Sequence, residues 1–483
     1  MIRQGIMSER MKVFFYLFAR TIVRFLRAQR KRAYRQIVCP VAGRMPGVGV
    51  FLRNKMLYRW LQDDAVALIA RTAFTGDKEM EKLLSSLSTK DLLSAQSVFS
   101  VLGKLQKEKI RNSLDSRKKT VALYFASGAY RENTGTIAKG LREKGYNVFI
   151  LIGEVCDDTY KQGEYVYYGG NDIINELDFI DVLIEISGTA EKLIHTKKIY
   201  FPHDIYDSPL GNVVNREGIA KHMAECDYLF LSSHYVLDRC SQMIFFARRK
   251  FPNAFVAKPQ VCLIPGGYIK LDKNLEYFEH HNQSTTALIY APTVMKERMG
   301  GMGSVASLAH GDKIIEALLG HFQNYDVIFR PHPHSLHTAV VKKIVEKYSS
   351  YPRFLFDDNQ SAYMENYAKS ALMVTDMSGT AYTYAFTTLR PVVFFSHDEN
   401  KAQKRFGEFA YFKDREKIGR VAQSIEELIQ HTEALLAAKN EWSTRIKRHR
   451  DPLIYNIAKA EDYFVENFEY ITEAKKHPDW VYI

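Results

Sequence analysis

The chain has 483 residues, 46% of them hydrophobic and 25% charged, which is enough for two or three separate cores and too well mixed for a disordered chain. A formal charge of +12 and a pI near 9.1 point to an acidic partner: nucleic acid, an anionic membrane surface or a phosphorylated substrate. The five cysteines are an odd number without a CxxC pair, which argues against a disulfide framework or a zinc site and for a reducing cytosol.

Residues 1–115 read as a helical, basic N-terminal region. Within 11–26, Val13, Phe14, Phe15, Leu17, Phe18, Ile22, Val23, Phe25 and Leu26 are interrupted by Arg20 and Arg24 and followed by Arg27, Arg30, Lys31, Arg32 and Arg35. Arginines inside and after the apolar run do not fit a signal peptide, and no run of about 18 uncharged apolar residues predicts a transmembrane helix. Two readings fit equally: an amphipathic helix lying on anionic lipid, or a helix packed on the protein's own core with a basic outer face.

From residue 116 the texture becomes α/β. Apolar runs at 120–126, 147–152, 181–186, 198–201, 228–231 and 261–264 predict strands, with helices over 133–144, 214–224 and 236–249. The polar stretch 272–285 reads as a linker. A second series follows, with strands at 287–290, 327–329, 353–356, 371–374 and 391–395 and helices over 312–322, 339–348 and from Thr380. Helices over 424–438 and 442–468 end it. Strands alternating with helices imply parallel sheets, so the expected architecture is two doubly wound, Rossmann-like domains, 116–272 and 285–470, with a ligand cleft between them.

Chemistry gathers where strands of the second series end. Tyr325-Asp326-Val327-Ile328-Phe329 runs into Arg330-Pro331-His332-Pro333-His334, a guanidinium and imidazoles held on stiff prolines, suited to a phosphate. Ala291-Pro292-Thr293 follows 287–290, with Lys296 and Arg298 close behind and Gly300-Gly301-Met302-Gly303 next. Asp376-Met377-Ser378-Gly379-Thr380 follows 371–374 and opens a helix, whose first N–H groups favour an anion. His310, His334 and His337 lack the helical spacing to a carboxylate of a zinc site. Aromatic residues, 13% of the chain, fall in apparent core strands, not on a basic stripe, which argues against nucleic acid.

Leu288-Ile289-Tyr290-Ala291-Pro292-Thr293, Phe329-Arg330-Pro331-His332-Pro333, Thr375-Asp376-Met377-Ser378-Gly379 and Arg390-Pro391-Val392-Val393-Phe394-Phe395 occur in the order and spacing of one family. With Lys404-Arg405-Phe406-Gly407 and Tyr411-Phe412, the stretch 288–412 resembles the CDP-glycerol glycerophosphotransferases of teichoic-acid and capsule synthesis. The resemblance implies a GT-B-type fold with an acceptor-side first domain and a donor-binding second domain. It also implies transfer of a glycerol-phosphate or related polyol-phosphate unit from a CDP-linked donor to a polymer or lipid-linked acceptor, with CMP leaving. Arg330 and His332 would hold the donor diphosphate, Ser378, Gly379 and Thr380 its phosphate at the helix start, with Thr293, Asp376 and Arg405 in the same donor set.

Where the family carries His-Gly-Thr-Pro, this chain has Pro202-His203-Asp204-Ile205. His203 would be the base, with Asp204 orienting it or serving as the base itself, and His332 completes the catalytic set. GT-B-type enzymes work through side chains and helix ends, so no metal or cofactor is expected. The implied place is the cytoplasmic face of a bacterial plasma membrane, held peripherally on anionic lipid. The alternative enzyme is a GT-B glycosyltransferase using a CMP- or UDP-sugar in capsule or lipopolysaccharide synthesis. A non-catalytic membrane scaffold that keeps the fold is the alternative from another class.

Overall fold

The structure, a computed structural model, describes residues 110–125, 133–152, 177–186, 196–203, 216–256, 260–281, 284–295, 306–358 and 363–483, with 107, 166–168, 174, 205 and 206 between them. The expectations on the basic N-terminal helix, on Asp204 and on the loop from Lys296 to Gly303 lie outside those residues. The chain divides into two compact units, Met1–Arg117 with Ile150–Phe179, and Lys118–Phe149 with Ile180–Ile483.

The first series of elements runs β1 (Thr120–Phe125), α1 (Ile137–Glu143), β2 (Asn147–Ile152), β3 (Val166–Tyr168), β4 (Val182–Glu185), β5 (Lys197–Tyr200), α2 (Arg216–Glu225), β6 (Tyr228–Leu231), α3 (His234–Lys250), β7 (Cys262–Pro265) and α4 (Ile269–His280). In the first unit, Ile150–Ile152 of β2 pair in parallel with β3, and Lys107 meets Asp178 at 2.9 Å. In the second unit the strands run β7-β6-β5-β4-β1, with the start of β2 beside β1; the pairs from β1 to β7 are parallel. β1, β4 and β6 are buried along their whole length, as unbroken apolar runs must be when helices cover both faces of a sheet. Ser233 caps α3, its hydroxyl accepting from Val236 N at 3.3 Å.

The second series is β8 (Ala287–Tyr290), α5 (Gly311–His321), β9 (Asp326–Phe329), α6 (Ala339–Tyr348), β10 (Phe354–Phe356), α7 (Tyr363–Lys369), β11 (Ser370–Thr375), α8 (Thr380–Thr388), β12 (Val392–Phe395), α9 (Glu399–Phe406), β13 (Gly419–Ala422), α10 (Ile425–Ala437), α11 (Lys439–Leu453), α12 (Ala460–Glu466), α13 (Phe468–Thr472) and β14 (Val481–Tyr482). Six strands, ordered β10-β9-β8-β11-β12-β13, form a wholly parallel sheet. The order reverses between β8 and β11, the place where an open α/β sheet leaves a crevice beyond its carboxyl edge.

The polar stretch expected as a linker is mostly helix. α4 continues to His280 because Ile269, Leu271 and Asn274 form its buried stripe, and a buried asparagine reads as surface in a sequence. Asn274 is satisfied from the second sheet's helices: its Nδ2 donates to Thr387 Oγ1 at 3.3 Å and its Oδ1 accepts from Tyr363 at 2.7 Å. The helix expected over 442–468 breaks after α11, and the chain returns to the first sheet. There Tyr455 N donates to Ser232 O, Phe464 packs edge-on to Phe201 and Phe230, and β14 pairs antiparallel with β7.

Two chain crossings therefore join the sheets, α4 and residues 454–460. Asp272 clips them together, accepting from Ala458 N and Ala460 N, both at 2.7 Å. Gly267, at φ +104°, lets the chain enter α4 against this second crossing, since a Cβ there would stand 2.6 Å from Tyr455 O.

Candidate active site

The expected donor residues stand at neighbouring carboxyl ends. Thr293 follows β8, Arg330 and His332 follow β9, and Asp376, Ser378, Gly379 and Thr380 follow β11, so the three loops share the edge around the β8/β11 reversal. Hydrogen bonds tie them into one frame. Met295 N donates to Ser335 Oγ at 3.0 Å, joining the β8 and β9 loops. Asp376 is buried; its Oδ1 accepts from Thr293 N at 2.9 Å and Met377 N at 2.6 Å, and its Oδ2 from Ser307 N at 2.7 Å. Burial raises its pKa, while those backbone donors hold it down in part. Its carboxylate thus shapes the loops in which the other residues sit.

Arg330 leaves the end of β9 with its backbone N bonded to Tyr290 O, and its Nη1 donates to Asp357 Oδ2 at 2.5 Å. Asp357, just past β10, also accepts from Asn366 at 2.6 Å, and the guanidinium lies over the Tyr363 ring. Buried carboxylate and ring fix the plane of the guanidinium fork, which an oxyanion ligand needs. His332 is half-buried in the following turn, its carbonyl accepting from Ser335 N at 2.7 Å.

At the start of α8, Ser378, Gly379 and Thr380 are half-buried and Gly379 is the N-cap residue, without a side-chain cap. Ser378 O accepts from Tyr411 at 2.9 Å, and the Thr380 hydroxyl bonds Tyr367. Arg405 lies near the end of α9, over Phe406. Two imidazoles, His310, weighed above only as a metal ligand, and His397, which no motif marks, reach this same edge. His397, two residues past β12, is 4.3 Å from His310 between ring centroids; burial lowers the His310 pKa, and His397 and Lys313 add to it.

On the first sheet, His203 follows β5 and is exposed, while the Tyr268 hydroxyl, which heads α4, donates to its carbonyl at 2.7 Å. Three residues on, Tyr206 is buried and meets the second sheet. It stacks on Tyr382 of α8 at 3.8 Å, donates to Asp414 Oδ2 at 2.5 Å and lies 3.0 Å from His449 Nε2. With its one proton on Asp414, the Tyr206 oxygen accepts from a neutral His449 carrying its proton on Nε2. Burial is the main cause that pushes the His449 pKa down to about 4. The loop of His203 is thereby seated against the helix whose first turn holds Ser378–Thr380. A separate cavity of about 340 Å³, lined by Glu416, Gly419, Arg420, Trp442 and Arg445, opens at the amino end of β13, the opposite edge from these loops.

Residues 272–462 match the family model of the CDP-Glycerol:Poly(glycerophosphate) glycerophosphotransferases. No curated protein matches the chain. Among solved structures, the wall teichoic acid polymerase TagF is similar over 79% of this chain and 97% of its own, at 16% identity and a TM-score of 0.55. A TagF variant soaked with CDPG covers 79% of this chain and 99% of its own at a TM-score of 0.53 and 16% identity. At such identities the likeness is one of fold, and it makes the two-sheet frame GT-B-like. Residues 272–462 thus resemble the glycerophosphotransferase family in sequence, within a chain whose fold is GT-B-like.

Proposed function

We propose that the protein transfers a glycerol-phosphate or related polyol-phosphate unit from a CDP-activated donor to a hydroxyl of a surface polymer or lipid-linked acceptor, releasing CMP. The observation that carries this reading is the family match across the domain whose Thr293, Arg330, His332 and Ser378–Thr380 share one sheet edge. Arg330 and His332 take the donor diphosphate and the first turn of α8 takes its phosphate oxygens, with Arg405 of α9 in the same donor set. Asp376 holds the loops that carry them.

In the reaction the acceptor oxygen bonds to the β-phosphorus as that phosphorus parts from the oxygen bridging to CMP. CMP leaves with the bridging oxygen, and the hydroxyl proton passes to His203 or Asp204. Such transfers rest on positioning and charge stabilisation, and a fixed arginine and a helix start supply both without reorganisation. The basic stretch from Arg20 to Arg35 suits a peripheral place on an anionic membrane facing the cytoplasm, where a lipid-linked acceptor is found. Among the described residues no helix is long and apolar enough to cross a membrane.

Purified protein incubated with a panel of CDP-polyols and CMP- and UDP-sugars tests the reading. CMP release from CDP-glycerol alone is the expected result. Turnover of a CMP- or UDP-sugar without CDP-glycerol turnover would make the protein a glycosyltransferase, and turnover of none would leave a scaffold. Deleting residues 1–35 should release the protein from anionic vesicles; continued binding would assign that stretch to the protein's own core.

A further inference from the structure

A cluster on the first sheet takes no part in the chemistry above. Glu185 ends β4 with no exposed surface, and α2 and the residue after it bring His222 and Cys226 onto it. Its Oε1 lies 2.7 Å from His222 Nε2 and 3.9 Å from Cys226 Sγ, and the nitrogen and sulfur are 4.0 Å apart. A triangle with those sides has a point about 2.1 Å from all three atoms, close to the roughly 2.0–2.2 Å of zinc–nitrogen and zinc–oxygen bonds and the about 2.3 Å of a zinc–sulfur bond. His222 and Cys226 are four residues apart, so they share one helical face. A carboxylate, an imidazole and a thiol together suit a borderline-soft ion and not calcium or magnesium, which take oxygen ligands.

We propose that Glu185, His222 and Cys226 bind one zinc-class divalent cation. The fourth position falls to water, which reaches the site beside the His222 side chain, 15% exposed. On binding, Cys226 releases its thiol proton to solvent as the metal–sulfur bond forms, so affinity rises as pH rises and is lost on acidification. Lys198 Nζ, 3.2 Å from the same Glu185 oxygen, supplies the counter-charge when no ion is bound and competes with the ion. The ion braces the strand end from which the His203 loop departs: Phe201 N donates to Glu185 O at 2.8 Å, and the Tyr200 ring stands edge-on to His222 at 5.1 Å.

The test is cobalt and zinc titration of the full-length, chelator-stripped protein, read by optical absorption and by metal analysis after desalting. One cobalt per chain with a thiolate-to-cobalt charge-transfer band, bleached by an equal amount of zinc, is expected. Cys226→Ser should abolish the band and Cys240→Ser should keep it. Lys198→Met should tighten binding by roughly tenfold or more, since it removes a like charge beside the ligands. Wild-type protein without a band or a retained ion overturns the proposal and leaves a buried ion pair, as does a band unchanged in Cys226→Ser. Because the readout is metal binding, it is independent of whether CDP-glycerol is the donor.

Discussion

The carboxyl edges of the two sheets are built differently. In the second sheet each loop after β8, β9 and β11 is tied to a neighbour by a buried group: Asp376 to Thr293 and Ser307, Ser335 to Met295, Asp357 to Arg330. In the first sheet His203 is exposed; Tyr268 and Ser232 of the same sheet bond the carbonyls of His203 and Ile205 in its loop, and Tyr206 ahead of it is held by groups of the second sheet. One edge is tied within its own sheet and the other is tied in part across the gap. This is what a transferase with a constant nucleotide donor and a variable acceptor would need.

Substitutions can break that contrast. The largest effects should come from Arg330→Ala and His332→Ala, which are expected to lower CMP release by about 10²–10⁴-fold. They should do so with or without acceptor, whereas His203→Ala should depress transfer but leave donor binding intact. Loss of donor binding in His203→Ala would mean that the two edges are one site. Asp376→Ala leaves three backbone donors without their acceptor, and a loss of about 3 kcal/mol or more is expected in denaturant unfolding. A loss under about 1 kcal/mol would show that the loops hold without it. Tyr206→Phe keeps the ring stack and removes the bonds to Asp414 and His449, so a smaller loss of about 1–2 kcal/mol should follow, with transfer reduced more than donor binding.

The smallest effects concern pH, and they carry opposite signs. The His449 pKa is depressed in the fold to about 4 from 6.5, so its contribution is present above about 6.5 and is lost as pH falls toward 4. Asp272 is raised to about 6 from 3.8, chiefly by burial and against the pull of the Ala460 and Ala458 N–H groups, so stability rises as pH falls through that window. Between about pH 4 and 6 the two oppose each other. Relative to wild type, His449→Gln should resist acid better and Asp272→Asn should resist it less, read as shifts of the unfolding midpoint at pH 7 and pH 5. Shifts of the same sign in both would refute this assignment.

The strand–helix alternation was legible because buried parallel strands are unbroken apolar runs: 147–152, 228–231 and 287–290 appear with those bounds in sequence and structure. The strands missed, β3, β13 and β14, have two to four residues and too little pattern to register. Arg330 was visible from its place after β9, and Asp357 had the same signal after β10, but nothing local says that the two pair. Tyr206 lies more than two hundred residues of chain from Asp414 and from His449, and only tertiary structure joins them. Glu185, His222 and Cys226 were hidden for the same reason: counting cysteines finds thiol pairs, not one thiol meeting an imidazole and a carboxylate from another strand.

The doubled crossing between the sheets also limits how they can move. A domain joined to its neighbour by one strand can swivel in any direction, while one joined by two strands side by side turns mainly about the line through both. With α4 and residues 454–460 held together by Asp272, opening around a donor reduces to one hinge coordinate. The same pairing makes the connection redundant: a proteolytic cut after α4 would leave both halves tethered through 454–460, so a nicked chain should still migrate as one folded particle.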